Sequence, residues 1–203
     1  IKADELHLAT YTGLRTDGTG SIILGHLTSG AAGGIYSVSA GKSNTSTGDY
    51  SVAMGQSNIS TGNWSVAMGG DNETGTERYS IAMGYNNTST GHSSVAMGLS
   101  NTSSGNFSVA MGESNKSPGI NSVAMGKSNN SGGSSGAYSV AMGQANASTG
   151  GNSVAMGNSN TSGGYSSVAM GESNTSTGQY SVAMGKGNSN NSNGYASVAM
   201  GEA

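Results

Sequence analysis

The 203-residue chain has no cysteine, one proline, one phenylalanine and one tryptophan, and only 8% of its residues are charged. Without cysteine there is neither a disulfide nor a thiolate metal site. The redox compartment stays open, because a ladder of backbone hydrogen bonds can replace the disulfides of other secreted domains. Seven Lys and Arg against ten Asp and Glu leave a net charge of −3, with no basic stripe to meet a phosphate backbone. Nucleic acid is therefore not an expected partner. No apolar run approaches the roughly 20 residues of a membrane span, and no signal peptide is visible, so direct membrane insertion of this segment is not expected. The chain opens on Ile1 and stops just into a further copy of its repeat, at Gly201-Glu202-Ala203, which reads as a piece of a longer fibre protein.

What the chain has instead is 36 glycines, much serine, asparagine and threonine, and a strict period. Gly/Ser richness without a period would read as disorder. Here every valine and every methionine occupies a fixed place in one pentapeptide, S-V-A-M-G, from Val38 and Met54 to Val198 and Met200. The opening serines fall at Ser37, Ser51, Ser65, Ser80 and onward to Ser197, most of them 14 residues apart, with extra residues before Ser80, Ser139 and Ser197. A degenerate earlier copy, S-I-I-L-G, begins at Ser21. A period of this kind marks a solenoid, in which each turn lays its side chains on those of the turn below.

The unit reads S-V-A-M-G-x-S-N-x-S-x-G-x-x, as in Ser51 to Trp64. Two glycines per unit, such as Gly55 and Gly62, predict tight corners between two short strands. Alternation places Val and Met on one face of the first strand and Ser and Ala on the other. In the second segment Asn58 and Ser60 point one way, Ile59 and Thr61 the other. The expected core ladder is Val52, Met54, Val66, Met68, Val109 and Met111, with Asn58 and Asn101 as its polar partners. One Val and one Met per turn supply little apolar burial, at roughly 25 cal/mol per Å², against the ordering of 14 residues. A lone chain is expected to be marginal, and close packing of the small Ser/Ala face on a neighbouring copy would add the missing burial.

Ser51-Val52-Ala53-Met54-Gly55, with Asn58, Ser60 and Gly62 after it, resembles the YadA-like head repeat of trimeric autotransporter adhesins, whose pattern is approximately S-V-A-I-G-x-x-S-x-A-x-G. The resemblance runs from Ser21 to Ala203. It implies an all-β fold, a left-handed parallel β-roll of about twelve 14-residue turns, assembled as a homotrimer. It also implies extracellular display on a cell or virion surface and adhesion to a host surface protein or glycan, the same roll being used in phage and large-virus fibres. The family pattern places the Asn58 position on the inward face. Met here replaces the family's Ile, and Asn its Ser. Residues 1–20 do not fit the repeat and read as a leading segment or N-terminal cap, with 21–203 as the head.

The position before each pentapeptide serine is often aromatic: Tyr36, Tyr50, Trp64, Tyr79, Phe107, Tyr138 and Tyr180. Stacked on a solenoid these make an external stripe, either a contact surface for sugar or matrix protein or a cover over the corner and seam. The candidate binding residues are Tyr50, Trp64, Tyr79, Phe107, Tyr138 and Tyr180. Asn at the eighth position creates N-x-S/T sequons in nearly every turn, and these read as by-products of an internal ladder. Asn63 and Asn106, at the corner, are the candidate N-glycosylation positions. Outward pairs such as Thr45/Thr47, Thr88/Thr90 and Thr175/Thr177 suit an ice-binding face, but Glu73, Pro118, Gly132 and Gly163 interrupt the array. Stacked opposite charges, Glu113 with Lys127 and Glu172 with Lys186, keep register on a solvated ladder.

No cofactor, metal or catalytic residue is expected. Gly41-Lys42-Ser43 and Gly126-Lys127-Ser128 end like a phosphate-binding loop, but Tyr36 and Asn121 stand where its first glycine is needed. His7, His26 and His92 lie far apart, and no serine has a recognisable His and Asp partner. The expected function is an adhesive fibre head. A structural fibre spacer without a ligand is the alternative, and an ice-binding solenoid the third.

Overall fold

The computed structural model describes residues 13–15, 21–25, 33–133, 137–190 and 196–203. It forms two compact units, Ile1–Leu99 and Ser100–Ala203. Of the leading segment only Gly13–Arg15 is described, as a strand antiparallel to Ile22–Gly25. The rest of 1–20, with His7, lies outside the described residues, as do His26 and the inserted residues 134–136 and 191–195.

In the first unit, parallel long strands Val38–Lys42, Val52–Gln56, Val66–Gly70, Ile81–Tyr85 and Val95–Leu99 follow Ile22–Gly25. Between them run the two-residue strands Thr45–Ser46, Ile59–Ser60, Glu73–Thr74 and Thr88–Ser89. The second unit repeats the scheme. Its long strands are Val109–Glu113, Val123–Lys127, Val140–Gln144, Val154–Asn158, Val168–Glu172, Val182–Lys186 and Val198–Glu202. Its short ones are Thr102–Ser103, Lys116–Ser117, Asn130–Ser131, Ala147–Ser148, Thr161–Ser162, Thr175–Ser176 and Ser189–Asn190. Identical residues pair in register: Val109 with Val123, Ala110 with Ala124, Met111 with Met125. The protein is an all-β parallel solenoid, its strand pairs set by the sequence period.

The interior reverses one expectation. Ala53, Ala67, Ala110 and Ala124 have no exposed surface, and neither do Ser51, Ser65 and Ser108. Apart from Ile23, every buried apolar side chain among the described residues is an alanine. Val52, Val66, Met68, Val109 and Met111 are only half-buried and Met54 is 38% exposed, so these six do not form the core. The reason is dimensional. A 14-residue turn brings its two strands so close that small side chains fill the space between them, Ala, Ser and Asn in most turns and Thr74 in one. The larger Val and Met occupy the outward side of the long strand instead.

A polar interior holds only if each group is satisfied. Ser60 Oγ lies 2.6 Å from Ser65 Oγ, which donates to Gly62 O at 2.6 Å. The same pair recurs as Ser103 with Ser108 and Ser148 with Ser153. Asn58 is fully buried, and its Nδ2 donates to Asn44 Oδ1 (3.0 Å), Met54 O (2.9 Å) and Gly69 O (2.8 Å). Its Oδ1 accepts from the backbone and side-chain N–H groups of Asn72 in the next turn. Asn101, also fully buried, donates to Gly112 O at 2.7 Å and accepts from Asn115 in the same way. Each Asn thus clips three successive turns.

The corners also differ from the glycine-based expectation. Trp64 (φ 56), Tyr79 (φ 61) and Phe107 (φ 56) turn one corner, and Ser57 (φ 55), Asp71 (φ 53) and Asn86 (φ 55) the other, all in the left-handed region. Such a conformation costs a side-chain-bearing residue roughly 1–2 kcal/mol. Gly62 serves close approach: a Cβ there would lie 1.9 Å from Glu77 O. Only the Gly55 type, at φ 117, combines a left-handed backbone with such a contact, 2.0 Å from Gly69 O.

Candidate functional site

Two surfaces stand out. The first is the outer face of the long strands, where each turn aligns its Val and Met with those of its neighbours: Val52 and Met54 with Val66 and Met68, Val109 and Met111 with Val123 and Met125. Tyr85 and Leu99, both exposed, broaden this apolar face in the first unit. Charge appears beside it as two ion pairs between adjacent turns, Lys127 with Glu113 at 3.1 Å and Lys186 with Glu172 at 3.9 Å. Lys127 and Lys186 are thereby engaged as register partners. Being exposed, each pair contributes less than about 1 kcal/mol.

The second surface is the aromatic corner. Tyr36, Tyr50, Trp64 and Tyr79 form a continuous column, with ring centroids 5.3, 5.4 and 5.3 Å apart and interplanar angles of 33°, 1° and 18°. His92 meets Tyr79 edge-on at 5.8 Å. These separations are those of slipped stacks, so the rings spend part of their faces on one another and turn edges and hydroxyls outward. The backbone reinforces the column: Trp64 N donates to Asp49 O, and Tyr79 N to Asn63 O. The second unit has no such run at this position. Phe107, Tyr138 and Tyr180 are exposed there, and Tyr180 meets Tyr165 edge-on at 5.9 Å. The structure therefore brings Tyr50, Trp64 and Tyr79 together in the first unit, while Phe107, Tyr138 and Tyr180 are exposed rings of the second.

Sequence reasoning missed the polar file beside the column. Asp49 Oδ1 accepts from Ile35 N at 2.9 Å, and Asn63 Oδ1 accepts from Asp49 N at 3.0 Å. The next position in the file is Arg78, whose guanidinium lies 5.9 Å from the Trp64 ring centroid, and then His92. Arg78 sits 14 residues from Trp64, and only the 14-residue period could have suggested the contact.

The sequons divide by burial. Asn44, Asn58, Asn101 and Asn115 are buried with their amides bonded across turns, which leaves no room for a glycan in the folded protein. Asn63 is half-buried and Asn106 exposed. Among the described residues no group of three or more His, Cys, Asp or Glu could hold a metal ion, and no helix is long and apolar enough to cross a membrane.

The family model for the YadA head domain repeat matches residues 32–58, 46–72, 76–101, 103–129, 134–160 and 162–188. The chain belongs to that family. A search of curated proteins finds no match to it. The family and the solenoid are of a structural, adhesin-type class, which points to a surface-exposed fibre head.

Proposed function

We propose that this chain is the adhesive head of an extracellular fibre, on a cell or virion surface, working as a homotrimer and attaching to a host surface protein or glycan. The observation that carries this reading is the outward Val/Met face. In a family whose adhesins are trimeric, a solenoid that fills its interior with Ala, Ser and Asn and turns its larger apolar side chains outward has a face suited to two further copies. Burial of that face contributes the hydrophobic stabilisation that the narrow interior lacks. Partners are thus copies of the chain and a host surface, with no cofactor and no nucleic acid. Asn106, exposed at the corner, is the sequon best placed to carry sugar in a glycosylating host, and Asn63, half-buried, the second.

The contact residues proposed for the host are Tyr50, Trp64 and Tyr79, together with the exposed Phe107, Tyr138 and Tyr180. The test is attachment of the purified head to host cells and immobilised matrix proteins, beside the Trp64→Ala/Tyr79→Ala double variant. The expected result is saturable attachment that falls at least tenfold in the variant while its mass in solution is unchanged. No saturable attachment by the intact head would favour a fibre spacer. Loss of the assembly with unchanged attachment would make the column a seam cover.

A further inference from the structure

We infer that the corner around Arg78 is a binding subsite for an acidic glycan, in which the guanidinium meets a sugar carboxylate and the Tyr36–Tyr79 column carries the neutral sugars that follow. This rests on the adhesion reading above and names the chemistry of its ligand. The repeat breaks here: one extra residue precedes Ser80 and puts Thr76, Glu77 and Arg78 at a corner that elsewhere runs from Gly62 through Asn63 to Trp64. The break has a structural cost. Ser80 Oγ is buried without a hydrogen-bond partner, whereas Ser65 and Ser94 donate to a glycine carbonyl three residues upstream.

The gain is a positioned cation. Arg78 is exposed, with its guanidinium carbon 5.9 Å from the Trp64 ring centroid, at the outer edge of cation–π reach and beside the aromatic column. Among the described residues it makes no ion pair with a carboxylate, Glu77 and Asp49 included. A planar, unpaired guanidinium is a bidentate donor matched to a carboxylate. His92, one turn on, adds a second polar nitrogen-bearing ring beside Tyr79. In the other direction the file changes to Asn63 and Asp49, and the column ends in Tyr36. The acidic sugar therefore belongs at the Arg78/His92 end and the uncharged sugars toward Tyr50 and Tyr36, where Asp49 would repel a second anion. Tyr hydroxyls and ring edges suit sugar hydroxyls and C–H groups along that run.

The experiment titrates the purified head with matched pairs, 3′-sialyllactose against lactose and a hyaluronan oligosaccharide against a neutral chitin oligosaccharide, by calorimetry. The expected result is at least tenfold tighter binding of the acidic member in one pair or both. A preference confined to sialyllactose assigns a terminal acidic sugar, one confined to hyaluronan an internal uronate, and either supports the inference. Arg78→Gln is expected to abolish the preference, Arg78→Lys to weaken it by losing the planar fork, and Lys116→Gln, which removes an exposed cation of the second unit, to leave it intact. Circular dichroism confirms that each variant is folded, and Arg78→Lys carries the test if Arg78→Gln is not. Equal binding of acidic and neutral members, or a preference that survives Arg78→Gln, overturns the inference. Saturable attachment to host cells without any acidic preference would overturn the subsite and leave the adhesion reading standing. Absence of both would overturn the two together.

Discussion

Replacing Asn115 with Ala is expected to cost roughly 3–5 kcal/mol in urea unfolding, far more than an ordinary polar substitution. The wild-type amide donates to Asn101 Oδ1 (3.0 Å), Met111 O (2.9 Å) and Gly126 O (2.7 Å). Its Oδ1 in turn accepts the backbone and side-chain N–H of Asn129, at 3.0 and 2.9 Å. Truncation strands these groups in an interior with no exposed surface, where each unsatisfied partner costs about 1–3 kcal/mol. The loss exceeds that of a comparable apolar truncation because the groups left behind are polar and cannot be reached by water. A solenoid transmits such damage through nearest neighbours, so unfolding should begin at the altered turn. Asn158→Ala is the control: its side chain is exposed and accepts a hydrogen bond from the adjacent Ser159 hydroxyl, and the backbone bonds survive the change, so the loss should stay within about 0.5 kcal/mol. Equal losses for the two variants would contradict the ladder account.

The second large effect concerns glycine. Gly112 has φ 118, and an added Cβ would lie 2.1 Å from Gly126 O and 3.0 Å from Asn115 Nδ2. Alanine there meets a backbone conformation closed to L side chains and a collision with a carbonyl that the sheet pairing holds in place. The expected cost is about 3 kcal/mol or more, with Asn115 displaced as well. Gly163→Ala in the same unit is the contrast. Its Cβ would meet only Thr177 Cγ2 at 3.5 Å and Thr149 Oγ1 at 3.8 Å, ordinary contacts at an exposed position. It should be neutral or slightly stabilising, since Ala restricts the unfolded chain. Thermal unfolding of the pair checks this. A tolerated Gly112→Ala would mean that neighbouring turns are less closely stacked than the contacts require.

The solenoid was legible in the chain because the period of S-V-A-M-G dictates that like residues pair, and Val109 against Val123 is the direct consequence. Which face lies inside was not legible. Alternation separates Val52 and Met54 from Ser51 and Ala53, but the side that faces inward depends on the distance between the two strands of a turn, a three-dimensional quantity. Hydrophobicity alone assigned Val and Met to the core, and steric size decides otherwise. The corners were misread for a related reason. Glycine is the usual left-handed residue, yet Trp64 and Tyr79 adopt that conformation, with backbone bonds to the preceding turn and ring stacking on both sides. Of the surface features, the aromatic stripe could be read from its spacing. The ring geometry of that column in the first unit, and the approach of the Arg78 guanidinium to Trp64, are seen only in the fold.

The face exchange also changes where assembly would occur. With Ser and Ala inside, the residues offered to a neighbouring copy are Val and Met, and Met, being unbranched, adapts to a seam more readily than the isoleucine of the related repeats. The most direct measurement is the mass of the purified chain in solution by sedimentation, together with that of Met111→Glu. Three chains of 19.9 kDa for the parent, and a smaller but still β-rich species for the variant, are the predicted results. A stable, folded monomer for the parent would contradict the account, because the outward Val/Met face would then be exposed to water with nothing to cover it.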